Sequence, residues 1–87
     1  MKIKKGFVVR TVAGESVVVA VGEASKSFKG YIKLNDSGRT LWDRLAEGAD
    51  QEELLSAILS EYKVDEQTAK ADIERFVETL KGAGILE

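Results

Sequence analysis

The sequence predicts an α+β fold, a three-stranded antiparallel sheet followed by three helices, and three observations predict it. β-branched residues crowd the first third of the chain between spaced glycines. Apolar residues in the remainder recur at helical spacing. Helix-capping residues then stand at Asn35 or Asp36, at Asp50 with Glu53 three residues on, and at Asp65.

The first two strands are the apolar runs GFVVRTV (6–12) and ESVVVAV (15–21), joined by Ala13-Gly14, a link short enough for a hairpin. Residues 22–28, GEASKSF, are small and polar and read as a longer loop. A third strand follows over Lys29–Leu34. Phe28, Ile32 and Leu34 fall on one face and Lys29, Tyr31 and Lys33 on the other, the period of two of a half-buried strand.

The first helix carries Leu41, Trp42 and Leu45 inward and ends at Gly48, where a positive φ is expected. The Asp50–Glu53 capping box opens the second, with Leu54, Leu55, Ile58, Leu59 and Tyr62 as its apolar face. Asp65 caps the third, whose stripe is Ala69, Ile73, Phe76, Val77 and Leu80. Gly82 and Gly84 stop it, so that Ile85 and Leu86 pack back. Three helices joined by short turns resemble a winged helix-turn-helix arrangement with the sheet placed first.

At 87 residues the chain is expected to form a single domain, 1–87, and a chain this short buries only about 60–70% of its extended surface. A deep catalytic cleft is not expected. Hydrophobic residues make up 44% and charged residues 32%, and no apolar run reaches membrane-spanning length. With no cysteine and no signal-peptide pattern, the expected location is cytoplasmic. The net charge of -2 is uneven. Lys2, Lys4, Lys5 and Arg10 make the start basic and leave nine basic against fifteen acidic side chains in the rest, so a basic arm precedes an acidic body.

The absence of both histidine and cysteine removes the commonest general base, metal ligand and thiol nucleophile. Carboxylate pairs such as Glu52–Glu53 and Asp65–Glu66 lie at helix starts, where the helix dipole favours negative charge, and capping accounts for them. No glycine cluster matches a phosphate-cradling loop. The chain is therefore not expected to be an enzyme, nor to carry a cofactor or metal.

A DNA-binding reading, suggested by the helix order, needs cations on the recognition helix. The third helix instead sets Lys70, Arg75 and Lys81 against Glu66, Asp72, Glu74 and Glu78, and the second has no basic residue. A winged-helix-like DNA-binding or regulatory role would rest on the arm alone. A self-associating module, pairing its edge strand with its own copy, is the other alternative.

The third strand of a meander is an edge. Lysines protect it but no proline does, so Lys29, Gly30, Tyr31, Ile32, Lys33 and Leu34 offer a margin to which an extended peptide can add. On a helical wheel Lys70, Glu74 and Lys81 occupy one flank of the third helix, and the shorter Thr68, Asp72 and Thr79 the other, with Arg75 just beyond. The short flank leaves a trough beside Phe76, expected to line a groove against the edge strand. The plainer alternatives are a protected edge and a solvated flank.

Leu34, Asn35, Ser37, Gly38, Trp42, Glu47 and Gly48, followed by the Val64-Asp65-Glu66-x-Thr68-Ala69-x-x-Asp72 start of the last helix, resemble the PqqD family over essentially the whole chain. The resemblance implies a RiPP recognition element: a non-catalytic module that binds the leader of a ribosomally made precursor peptide and presents it to a modifying enzyme, often a radical SAM protein. It further implies that the leader adds to the third strand and lies against the third helix. The peptide-binding candidates are then Lys29 to Leu34 with Thr68, Asp72, Arg75, Phe76 and Thr79. The chain is expected to stand alone without fusion to a maturase, to bind both peptide and enzyme, to need neither nucleic acid nor membrane, and to be a monomer or weak homodimer.

Overall fold

A computed structural model describes all of residues 1–87. Strands β1 (Phe7–Val12) and β2 (Glu15–Ala20) form an antiparallel hairpin in which Phe7 faces Ala20 and Val12 faces Glu15. Its two-residue turn has positive φ at both positions, 52° at Ala13 and 81° at Gly14. Turns of this kind match the right-handed twist of the flanking strands, and glycine takes such a φ without steric cost.

Strand β3 pairs antiparallel with β2, giving the order β1-β2-β3, so β3 is an edge as expected. It is shorter than the alternation suggests, covering Ile32–Leu34 only. Gly30 has φ 94°, which turns the backbone out of the extended line before the strand begins. Lys29, Gly30 and Tyr31 therefore approach β3 without belonging to it.

The segment expected to be a loop contains a one-turn helix, α1 (Ala24–Ser27), closed by the Phe28 N–H donating to the Ala24 carbonyl at 3.0 Å. Periodicity cannot signal four residues. The Phe28 ring then meets Phe7 edge-to-face at 5.4 Å.

Three longer helices follow: α2 (Asp36–Glu47), α3 (Gln51–Glu61) and α4 (Glu66–Gly82). Asn35, not Asp36, caps α2, its side-chain oxygen accepting the Gly38 N–H at 2.8 Å. Asp50 and Glu53 form the expected reciprocal capping box, and Asp65 caps α4. Gly82 falls inside α4 and the chain turns at Gly84, with φ 74°.

Val18 and Leu34 from the sheet join Leu41, Trp42 and Leu45 of α2, Leu54 and Ile58 of α3, and Ile73, Val77 and Leu80 of α4 in one core. Ile85 and Leu86 close it, as expected. Leu59 departs from expectation and is 38% exposed, while Ala57 takes the inward place.

The basic arm does not hang free. Ile3 bridges Leu86, the Lys4 N–H donates to the Ile85 carbonyl at 2.8 Å, and the Met1 ammonium donates to the Ala49 carbonyl at 2.9 Å. Met1 and Ile3 pack on the core while Lys2, Lys4 and Lys5 stay exposed. The arm is pinned by its alternate apolar residues and its backbone, which a count of charges does not register.

Candidate functional site

Because β2 alone pairs with β3, the other margin of Ile32–Leu34 has no strand beside it. No turn, loop or cap of the chain bonds to the backbone of residues 29–34 either. Free N–H and C=O groups on an extended segment are hydrogen-bonding sites for a second extended segment.

A groove runs from the C-terminal end of β3, where the β1–β2 hairpin borders it, across the start of α2 to α4. Its first part lies between Gly14, Glu15 and Ser16 of the hairpin, Lys33 and Leu34 of β3, Gly38 of α2 and the ring of Phe76. The middle part shares Gly38 and Phe76 and is walled by Ser37, Leu41, Asp72, Arg75 and Thr79. The far part shares Ser37, Leu41 and Asp72 and becomes more apolar, reaching Ile58, Tyr62, Val64 and Ile73. Asn35 lines all three.

Local sequence explains why the groove is open where it is. Asn35 is spent on capping, so the first turn of α2 begins directly at the end of β3. Gly38, in that turn, has no side chain to fill the space before Phe76, which is only half-buried. On α4 the half-buried Phe76 stands beside Asp72, Arg75 and Thr79, which are short or turned along the helix. Arg75 donates to Asp72 at 2.8 Å, and the Thr79 hydroxyl donates to the Arg75 carbonyl at 2.9 Å.

Of the residues singled out from sequence, Lys33, Leu34, Asp72, Arg75, Phe76 and Thr79 come together along this groove. Ile32 lies in β3 with its side chain against the core. Lys29, Gly30 and Tyr31 precede the strand and do not line the groove. Thr68 does not line it either: its N–H and hydroxyl both turn back to the Asp65 carboxylate, at 2.7 and 3.1 Å. A wheel places Thr68 on the correct flank but does not reveal that the cap claims it.

Sequence reasoning overlooked Asn35, Ser37 and Gly38 as lining residues. They read as a helix-capping signal, which they also are. Their position immediately after the edge strand was the available clue.

The charges around the site are mostly matched. Lys33 Nζ lies 3.0 Å from Glu15 Oε2, and the hydrogen bond, then the charge, of that carboxylate holds the ammonium above the ordinary lysine value. Asp65 is held below the ordinary aspartate value, chiefly by the backbone N–H of Thr68 and then by its hydroxyl. No group of three or more acidic, histidine or cysteine side chains is placed to hold a metal ion. No helix is long and apolar enough to cross a membrane.

Comparison with known proteins bears on what the groove receives. A family model described as coenzyme PQQ synthesis protein D (PqqD) matches residues 12–86. Among solved structures, TbiB1 in complex with the TbiA(beta) leader peptide is 31% identical, with a TM-score of 0.79 over 100% of this chain and 95% of that one. Lasso peptide synthetase B1 complexed with the leader peptide is 25% identical, with a TM-score of 0.75 over 97% of this chain and 93% of that one. No curated protein matches the chain.

Proposed function

The chain belongs to the PqqD family, and we propose on that premise that it is a non-catalytic adaptor: it binds the leader of a ribosomally synthesised precursor peptide as an added strand on β3 and presents the peptide to a modifying enzyme of the radical SAM class, in the cytoplasm. The observation that carries this reading is the unpaired margin of β3, with the Phe76 groove opening at that strand's end, in a fold that two leader-peptide complexes share.

Magnitudes divide the work between margin and groove. A three-residue strand turns only one or two N–H and C=O pairs outward, and each net hydrogen bond contributes about 0.5–1.5 kcal/mol. Micromolar affinity requires about 8 kcal/mol. Backbone pairing therefore sets register and direction, and apolar side chains of the peptide supply the rest, at about 1.5–3 kcal/mol for each one buried. Leu34, Leu41 and Phe76, with Ile58, Tyr62, Val64 and Ile73 in the far part, are the groove's apolar surfaces for such anchors.

Lys33, Leu34, Asn35, Asp72, Arg75, Phe76 and Thr79 are the residues that meet the peptide. Lys29, Gly30 and Tyr31 meet it only where the peptide runs past the start of β3, and Thr68 supports the site by capping α4.

The test is a titration of isotope-labelled protein with the short peptides encoded beside it, followed by amide shifts. The expected changes concentrate in Ile32–Asn35 and on the Asp72–Thr79 flank of α4. Saturable binding with shifts confined to α3 and the N-terminal segment would refute strand addition.

A further inference from the structure

We propose that the face of the sheet turned away from the helices is the docking surface for the modifying enzyme, which meets it with an apolar patch rimmed by acidic side chains. This rests on the adaptor reading above and assigns the second of its two surfaces.

The register sorts the valines into two layers. Val9, Val18 and Ile32 face the helices and pack with the core. Val8 lies opposite Val19, and Val17 lies between Arg10 and Lys33; with Val12 these alternate residues point the other way, and none belongs to the core cluster. Val8 and Val12 are left exposed, Val19 is half-buried and Val17 is buried. Val8 is 37% and Val12 57% exposed, and Tyr31, close enough to act on the charge of Lys33, is 64% exposed. They are three of the five large apolar side chains that the surface exposes.

The open face of an antiparallel sheet is ordinarily polar, since burial rewards only the other face. Val8 and Val12 stand exposed on this face on either side of Arg10, with half-buried Val19 opposite Val8, and exposed apolar surface rimmed by polar residues marks an interaction site. Val17 is only 7% exposed although it stands outside the core cluster. Its cross-strand neighbours Arg10 and Lys33 have stems long enough to lie along it while their charged ends stay in water.

Charge selects the occupant. Arg10 and Lys33 on this face stand against Glu15 alone, and Glu15 is already paired with Lys33. Arg10 has no ion-pair partner. In a chain of net charge -2 this face is basic. A second copy of the chain would set these like charges against one another, whereas an acidic rim is complementary. Valine side chains are short and stand on a sheet rather than an amphipathic helix, so they suit another protein's apolar surface better than the acyl layer of a bilayer.

The face is also continuous with the peptide site. A strand added to β3 widens the sheet, and its alternate side chains stand beside Lys33 on this same face. The enzyme then meets adaptor and peptide as one surface and binds the loaded adaptor more tightly than the empty one.

The experiment measures two affinities for each protein, one for the precursor peptide and one for the purified enzyme encoded beside the chain. Val8→Gln with Val12→Gln, and separately Arg10→Glu, are expected to weaken enzyme binding about ten-fold while peptide affinity stays within about two-fold of wild type. Arg10 lies away from the β3 margin and tests the charge without removing apolar surface, so it remains informative if the double variant folds poorly. Unchanged enzyme affinity in both variants, with peptide binding intact, overturns this proposal and leaves the adaptor reading standing. A wild-type dimer that the variants split, or wild-type binding to phosphatidylglycerol vesicles that the variants abolish, overturns it in favour of another occupant. A wild type that binds no precursor peptide removes the adaptor reading itself.

Discussion

Gly38 stands against Phe76: a β-carbon at position 38 would lie 3.5 Å from the ring's Cε1 and 3.0 Å from Oδ1 of Asn35, the oxygen that caps α2. The missing side chain joins the β3 end of the groove to its α4 wall. Gly38→Ala brings a helix-propensity gain of about 0.5–1 kcal/mol, offset by strain on the cap of similar size. Stability by urea denaturation is expected to stay within about 1 kcal/mol of wild type, while peptide affinity measured by calorimetry is expected to fall, because the added methyl occupies groove space in contact with the Phe76 ring.

Thr79 and Asp72 line the middle of the groove from α4, and both are exposed. Thr79→Trp fills that space with a large ring, and Asp72→Lys removes the partner of Arg75 and reverses the charge of the wall. Each variant is expected to weaken peptide binding by about ten-fold with little change in thermal midpoint, since neither side chain is in the core. Unaltered affinity in both would mean that the peptide does not pass this flank.

Two caps of similar chemistry separate stability from binding. Asn35→Ala and Asp50→Ala each remove an oxygen that accepts a backbone N–H at 2.8 Å, and each is expected to cost about 1 kcal/mol. Asn35 lines the groove along its whole length and Asp50 lies outside it. Only Asn35→Ala should also reduce peptide affinity, beyond any loss from unfolding.

Asp65 gives the fold a pH dependence with a definite sign. Its folded-state value lies below the ordinary aspartate value of 3.8, so its contribution is present above that value and is lost as pH falls through the folded one. Urea midpoints of wild type and Asp65→Ala should therefore differ at neutral pH and converge in acid below 3.8. A gap that persists in strong acid would show that the carboxylate's charge is not what caps α4.

What the sequence determined by itself is what depends on near neighbours. Alternation at Phe28, Ile32 and Leu34, the Ala13-Gly14 link and the oxygen of Asp50 each act within a few residues, so hairpin, edge strand and helices were legible, as was the family through its joint spacing. Tertiary structure alone decided the rest. Gly30 swings the backbone and cuts the pairable margin to Ile32–Leu34; Asp65 takes Thr68 away from the flank it shares with Asp72 and Thr79; and Asn35 and Gly38, read as punctuation of a helix, become the groove's floor because β3 delivers α2 beside Phe76. Such juxtapositions follow from how the core of sheet and helices closes around Leu34, Leu45 and Leu80, residues far apart in the chain, and no local period encodes them.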